Sequence, residues 1–337
     1  MQRYFSQHHG LLASATILLI GLAGCTSPTS NSSDSSQPEA ATTSEIVASD
    51  TVSESPIDVI ASYSVICDIT SQIVGDDTAQ LNCLIPSDQD PHTYQAKPSD
   101  REAIDTADLV FYAGLNFEPA IISMATASDS EAPKVALHDE AVLQVIEVEE
   151  EGEVSPDPHI WHDIENGLEM VTLIRDNLVA VDPDNADAYT QNAEQLTAEL
   201  QALDTWIPEQ IATIPELQRR LITTHDAMGY YAQAYGLTVE GTLLGLSTEE
   251  EPTAAKVGSL AKSIRDEALP TIFAELTADD RVLKTVADEA GVSISEKVLL
   301  ADGLGPEDTP GGSYTGMLIY NTCAIVDGLG GTCAAAP

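Results

Sequence analysis

The tripeptide Asp-Pro-His occurs twice in the chain, at residues 90–92 and at residues 157–159. A proline fixes its own φ and biases the residue before it towards an extended backbone, so each histidine follows a stiff loop. Imidazole is the commonest metal ligand in proteins, and it binds best when a neighbouring group holds the ring. His92 and His159 therefore indicate one metal site built from distant parts of the chain. Because Asp-Pro also begins many ordinary turns, two unrelated surface turns are the alternative.

Other polar residues occupy positions that suit the same site. In open α/β sheets, ligands bind beyond the carboxyl ends of the strands. His225, Glu275 and Asp302 each follow a predicted strand, as His92 does, and His159 lies in the loop that leaves the first half of the chain. Two facing lobes would bring these groups into one cleft. Three imidazoles and a carboxylate can fill a closed site for a first-row divalent metal.

Several alternatives stay open at the level of single residues. His162 lies about one helical turn from His159 and could be the ligand in its place. Glu275 could replace Asp302 as the carboxylate ligand, or else it would hold a ligand in position, a role also open to Asp226 and His162. His138 stands beside two acidic residues and is expected on the surface.

Strands and helices alternate in both halves of the chain, which is typical of an α/β protein with parallel sheets. The strands are predicted at residues 58–63, 80–85, 109–113 and 134–137 in the first half, and at 220–223, 238–244, 271–274 and 298–301 in the second. Between the halves, residues 185–207 form a long amphipathic stretch without glycine. This stretch predicts one helix that runs along most of a domain and ends at Pro208.

The composition narrows the kinds of partner. Of 337 residues, 55 are Asp or Glu and 13 are Lys or Arg, a formal net charge of −42. Such a chain lacks the basic surface that neutralises phosphates, so a nucleic-acid-binding protein is excluded and electrostatic binding to anionic lipid is disfavoured. A negative field attracts cations, which suits metal capture, but it equally suits solubility in a salty medium. The acidic run at residues 146–156 is expected to be a solvated loop, with weak cation collection as the alternative.

The N-terminus has the features of an export signal. A short apolar run ends in Leu-Ala-Gly-Cys at residues 22–25, which resembles a bacterial lipobox with Cys25 as the lipidated first residue of the mature chain. An ordinary secretory signal with a chance cysteine is the alternative. Residues 25–56 are rich in Ser, Thr, Ala and Asp and are expected to form a flexible tether. We therefore predict a signal peptide over 1–24 and a chain anchored to a membrane without spanning it.

Four cysteines remain in the rest of the chain, namely Cys67, Cys83, Cys323 and Cys333. An exported protein meets an oxidising compartment, so disulfides can form. Four cysteines permit three connectivities, of which we favour the two sequence-local pairs, Cys67–Cys83 and Cys323–Cys333. The second pair would fasten the C-terminal tail. None of the four has the Cys-x-x-Cys spacing of a zinc site.

Several motifs together resemble the zinc- and manganese-binding lipoproteins of bacterial ABC importers, the TroA/ZnuA-like (cluster A-I) solute-binding family. The resembling stretches are residues 90–94, 97–100, 107–119, 157–161, 225–231, 271–275 and 312–314. They occur in order and span nearly all of residues 57–329. The resemblance implies two (β/α) lobes with parallel four-stranded sheets, joined by one long rigid helix, with the metal in the cleft between them. The corresponding regions here are 57–184, 185–212 and 213–337.

The resemblance also implies which residues bind the metal, namely His92, His159, His225 and Asp302. Zinc-type members have His where His225 stands, and manganese-type members have Glu. The stretch containing Asp302 is similar to that of manganese members, and the acidic run replaces the His-rich loop common in zinc members. The family usually has Leu at the position of His162. We expect Zn²⁺ as the transported ligand, with Mn²⁺ as the alternative.

The function implied is the capture of a metal ion without catalysis of a reaction. The resemblance implies a monomeric, lipid-anchored protein at the outer face of the cytoplasmic membrane or in the periplasm, which delivers Zn²⁺ or Mn²⁺ to an ABC permease with its ATPase subunit. A metal-dependent hydrolase is one alternative, but the chain has no His-Glu-x-x-His motif and four strong ligands leave no open position for water. A surface adhesin with a structural metal is the other.

Overall fold

The computed structural model of the protein describes residues 56–75, 78–150, 152–267 and 269–337. The predicted signal peptide, Cys25 and nearly all of the predicted tether lie outside the described residues. Within the described ranges, no helix is long and apolar enough to cross a bilayer.

A four-stranded parallel sheet in the order β2-β1-β3-β4 forms the centre of the first half, as the sequence predicted. Its strands are β1 (Ile57–Ala61), β2 (Ala79–Cys83), β3 (Leu109–Tyr112) and β4 (Lys134–Ala136). The helices of this half are α1 (Ser64–Val74), α2 (Pro98–Thr106), α3 (Pro119–Thr126) and α4 (Leu137–Ala141). Three consecutive residues of β3 are fully buried, as expected for a parallel strand covered on both faces.

The acidic run predicted as a loop is instead an antiparallel hairpin of β5 (Glu147–Glu150) and β6 (Glu153–Pro156). The prediction of a loop was wrong because residues 146–149 alternate apolar and charged side chains, a pattern typical of a strand. Val148 pairs with Ser155, and Gly152 adopts a positive φ of 90° at the turn, a conformation that costs glycine little.

Two long helices follow the hairpin, α5 (Ile164–Val181) and α6 (Ala186–Ile211). The predicted long helix is present, but it continues beyond Pro208, where it was expected to end. The proline removes a backbone donor, yet its own carbonyl accepts a hydrogen bond of 2.9 Å from Ala212 N. Ile207 and Ile211 are buried on either side of it, so packing keeps the last turn helical.

The second half contains shorter strands, β7 (Arg220–Thr223), β8 (Thr238–Thr242), β9 (Thr271–Ile272) and β10 (Ser293–Ile294). They form two parallel pairs, β7–β8 and β9–β10, and Phe273 N donates to Ile222 O at 2.9 Å between the pairs. The stretch predicted as a last strand pairs through an isolated bridge between Leu299 and Glu275, whereas β10 was not predicted. The helices of this half are α7 (Gly229–Tyr235), α8 (Ala254–Glu267), α9 (Arg281–Ala290) and α10 (Tyr314–Gly328).

One hydrophobic core runs through both halves. Helix α6 packs against α1, α5 and α10, and its buried residues join the same cluster as Trp161 and Tyr314. A smaller cluster lies within the second half, between β7, β9, α8 and α9. The division of the chain into lobes over 57–184 and 213–337 with a linking helix over 185–212 stays a prediction.

Two disulfides each join a helix to a neighbouring segment of the chain. Cys67 of α1 is bonded to Cys83 at the end of β2, with Cα atoms 5.8 Å apart. Cys323 of α10 is bonded to Cys333 in the C-terminal tail, with Cα atoms 5.2 Å apart. These are the two sequence-local pairs favoured above.

Candidate metal centre

The structure brings together the four residues that the resemblance implies as ligands. One donor atom from each of His92, His159, His225 and Asp302 lies within 4.8 Å of the other three. His92 is 4% exposed, and the other three are 0–1% exposed. The group is therefore closed to bulk water almost completely.

Five of the six separations between these donor atoms are close to those around a tetrahedral ion. The Nε2 atom of His159 lies 3.3 Å from Nε2 of His92 and 3.3 Å from Nε2 of His225. The Oδ1 atom of Asp302 lies 3.0, 3.4 and 3.7 Å from Nε2 of His225, His159 and His92, respectively. Four donors at about 2.0–2.1 Å from a tetrahedral zinc ion lie about 3.3–3.4 Å from one another. The donor set and its spacing thus fit a first-row divalent metal.

The four residues come from loops that the fold holds next to one another. His92 lies in the loop after β2, and His159 lies between β6 and α5. His225 comes directly after β7, and Asp302 follows Leu299, whose backbone pairs with Glu275. Three of the four thus lie beyond the carboxyl ends of strand segments, where α/β proteins bind ligands.

Two of the imidazoles are oriented by carboxylates. His159 donates its backbone N–H and Nδ1–H to Oδ1 of Asp157, at 2.9 and 2.8 Å. His225 donates Nδ1–H to Oε2 of Glu275 and its backbone N–H to Oε1, the latter at 3.1 Å. A proton on Nδ1 leaves the lone pair of Nε2 free to face the site. Glu275 thus holds His225 and lies outside the donor group.

Asp157 is the orienting residue that sequence reasoning missed. The signal was present, because an Asp two residues before a His can bond both the backbone and the ring of that His. Helix α7 also packs against this aspartate: a Cβ atom on Gly229 would lie 2.7 Å from Oδ2 of Asp157. Tyr230 Oη donates to Asp157 O at 3.1 Å and accepts from Ile146 N at 3.2 Å. The helix that follows His225 therefore supports the loop that carries His159.

His162 does not join the donor group. Its ring is fully buried, and Nε2–H donates to Ala301 O at 2.9 Å, next to Asp302. Burial and the neighbouring His159 lower the pKa of His162 to about 4, so the ring is neutral. Asp226 is also outside the group: it is half-buried, and its backbone N–H donates to Gly245 O at 2.9 Å.

His138, expected on the surface, is fully buried. That prediction was wrong because the two acidic neighbours in sequence say nothing about the direction of the His138 side chain. Its Nε2 lies 3.0 Å from Tyr63 Oη, and burial lowers its pKa to about 3. Phe117 and Trp161 pack with it in an aromatic cluster. Phe117 also contacts the His92 ring, with centroids 4.9 Å apart, so the aromatic cluster packs directly against one of the proposed ligands.

The carboxylates around the site set the charge of its histidines. Burial by itself lowers the pKa of His225, but the negative charges of Asp302 and Glu275 outweigh it and hold this pKa well above its ordinary value. Burial likewise opposes protonation of His159, and Asp157 and Asp302 raise its pKa. Burial raises the pKa of Asp302, but the adjacent histidines, His225 foremost, hold it well below the usual range. In the absence of metal, protons therefore compensate the buried carboxylates.

Comparison with known proteins gives a consistent assignment. A model of the ZnuA family, described as zinc-uptake complex component A, periplasmic, matches residues 59–328. The manganese-binding lipoprotein MntA of Halalkalibacterium halodurans is 31% identical over 272 residues, 80% of this chain and 88% of that protein. The manganese ABC transporter substrate-binding lipoprotein PsaA of Streptococcus pneumoniae is 32% identical over 285 residues, 83% of this chain and 91% of that protein.

A solved structure extends the likeness to the whole fold. The periplasmic zinc binding protein TroA from Treponema pallidum is 28% identical and superposes with a TM-score of 0.77, covering 82% of this chain and 99% of that one. The match over residues 59–328 and these relatives together show that the chain belongs to the ZnuA family of periplasmic metal-uptake proteins.

Proposed function

We propose that this protein captures a divalent metal ion, Zn²⁺ in preference to Mn²⁺, outside the cytoplasm and delivers it to an ABC-type importer. The observation that carries the proposal is the buried group of three imidazole nitrogens and one carboxylate oxygen at tetrahedral spacing. His92, His159, His225 and Asp302 are the proposed ligands. The relatives named as ABC transporter substrate-binding lipoproteins support the delivery step, with a permease and its ATPase subunit as partners.

The geometry favours transport over catalysis. A zinc hydrolase keeps one coordination position open for water, whereas four protein donors at this spacing complete a tetrahedral shell. The main hydrophobic core is built from apolar side chains and includes none of the proposed ligands, which opposes a purely structural ion. The chain acts as a monomer and is not an enzyme.

A metal titration tests the proposal. Purified chain, stripped by a chelator, should bind one Zn²⁺ or one Mn²⁺ in competition for the same site, and Zn²⁺ should bind more tightly because imidazole nitrogens favour it. The stripped chain should keep its far-ultraviolet circular dichroism. Unfolding on metal removal would support a structural metal, and failure to bind either ion would refute the proposal.

Acidification should release the metal. Metal binding needs free Nε2 lone pairs, and the carboxylates that raise the pKa of His159 and of His225 make protons strong competitors. A histidine whose pKa is higher in the folded than in the unfolded chain stabilises the folded, metal-free protein. This contribution is complete below the ordinary histidine pKa of about 6.5 and is lost as the pH rises through the folded-state pKa. The metal-induced rise in melting temperature should therefore grow as pH increases from about 6 to 8. Thermal scans with and without Zn²⁺ would measure it, and a pH-independent rise would contradict it.

We propose that the mature chain begins at Cys25 and is held at the outer face of the cytoplasmic membrane by lipid on that residue. The lipobox-like sequence at residues 22–25 motivates this proposal, and relatives named as lipoproteins support it. Cys25→Ala should leave the chain unprocessed or release it from membranes. Mass spectrometry and membrane fractionation would measure both, and unchanged mass and retention would exclude lipidation at Cys25.

A further inference from the structure

A cavity of about 240 Å³ opens beside His92, the least buried of the four proposed ligands. Its walls come from both halves of the chain. Asn116 and Pro158 belong to the first half, and Leu246 and Glu250 belong to the loop that joins β8 to α8. We call this segment, residues 243–253, the cleft loop. Of the four proposed ligands, His92 is the one that lines this cavity, so a metal ion that passed through the cavity to His92 would pass the cleft loop.

A side-chain hydrogen bond joins the cleft loop to the first half. The hydroxyl of Thr248 donates to Oδ2 of Asp90. The other oxygen of the same carboxylate, Oδ1, accepts the backbone N–H of His92 at 2.9 Å. Asp90 and Thr248 are both half-buried. One carboxylate therefore links the position of the cleft loop to the position of His92.

The two Asp-Pro-His tripeptides use their aspartates differently. Asp157 bonds both the backbone and the ring of its own histidine, His159. Asp90 bonds the backbone of His92 and turns its second oxygen across the cleft to Thr248. The ring of His159 is thus oriented by a residue of its own loop. By contrast, Asp90, which bonds the backbone of His92, is itself hydrogen-bonded to Thr248 of the second half.

From these contacts we propose that the Asp90–Thr248 hydrogen bond is a latch between the two halves, which keeps the cleft loop over His92 and slows the departure of bound metal. The inference rests on the metal-capture function proposed above. Thr248 is a positioning residue: it touches Asp90, which touches His92, and it does not bind the metal. A hydrogen bond to a carboxylate is among the stronger ones, so its loss should raise the fraction of time in which the cleft loop is open.

The test is the rate of metal release from the full-length chain in detergent. Chain loaded with Zn²⁺ is mixed rapidly with an excess of a chromophoric chelator, and the release rate is read from absorbance. Thr248→Val keeps the shape of the side chain but removes the hydroxyl, and it should release metal about tenfold faster than the wild type. Thr248→Ser restores a hydroxyl and should release metal at a rate close to that of the wild type.

Ser247→Ala is the matched control, because the hydrogen bond that this neighbouring hydroxyl makes among the described residues, from Glu249 N, stays within the cleft loop. Its release rate should equal that of the wild type. Thr248→Ala makes the same test if the valine variant does not fold. Unchanged release from a metal-loaded, hydroxyl-free variant would overturn the latch alone, as would equal acceleration in the serine variant or in Ser247→Ala. Failure of the wild type to bind Zn²⁺ would overturn the latch and the proposed function together.

Discussion

His159→Ala should weaken Zn²⁺ binding by more than about a hundredfold, since the loss of a residue that merely orients a ligand already costs about 10–100-fold. His159 lies close to all three of the other proposed ligands. Its Nε2 lies 3.3–3.4 Å from the donor atoms of the three other residues. Its ring is also fixed by Asp157, so the substitution removes a ligand that is already oriented towards the site.

His162→Ala is the matched control for this prediction. His162 is also fully buried, but its ring bonds the carbonyl of Ala301 and lies outside the donor group. Its replacement should leave Zn²⁺ affinity almost unchanged, while an unpaired buried carbonyl lowers the free energy of unfolding by about 1–3 kcal/mol. Competition titrations with a zinc chelator and denaturant unfolding would measure the two effects. If His162→Ala weakened binding as much as His159→Ala, the assignment of His159 rather than His162 as a metal ligand would be contradicted.

The proposed ligands could be found from the sequence because their signals are local. A repeated Asp-Pro-His and polar residues directly after apolar strands depend on backbone rules that operate over a few residues. The centre of the sheet of the first half was predictable for the same reason, since β1 and β3 contain short apolar runs that are buried. The spacing of the donors was not predictable, because it depends on how α6 and the shared core place the two halves.

The following features were mispredicted or missed because they depend on tertiary packing. His138 has polar neighbours in sequence, but its ring packs among Tyr63, Phe117 and Trp161. Pro208 should end a helix by local rules, and burial of the surrounding turn keeps it helical. The contact between Thr248 and Asp90 joins residues 158 positions apart, a separation that no local pattern can reveal.

His225→Glu should shift the site towards Mn²⁺, because a carboxylate oxygen suits the harder ion better than an imidazole nitrogen does. Nε2 of His225 lies 3.0 Å from Oδ1 of Asp302, so a carboxylate there would give the site two nitrogen and two oxygen donors. Affinity order alone cannot report selectivity, since Zn²⁺ exceeds Mn²⁺ at almost any such site. The informative quantity is the change in the ratio of the two affinities.

The contacts of His225 determine how this substitution must be made. Glu275 accepts the Nδ1–H of His225 in a fully buried position, so Glu at position 225 would place two carboxylates side by side. Buried like charges raise one pKa, and the retained proton would compete with the metal. His225→Glu combined with Glu275→Gln removes this conflict, because the amide can donate to the new carboxylate.

The ratio of Zn²⁺ to Mn²⁺ affinity should therefore fall by at least about tenfold in the double variant and by less in the single His225→Glu variant. Glu275→Gln alone is the control: it should weaken both metals by about 10–100-fold and leave their ratio unchanged, because it only loosens the ring of His225. Isothermal titration of the wild type and these three variants with both ions would measure the ratios. An unaltered ratio in the double variant would show that His225 does not set the selectivity, and the preference for zinc would then have to come from the geometry of the whole group.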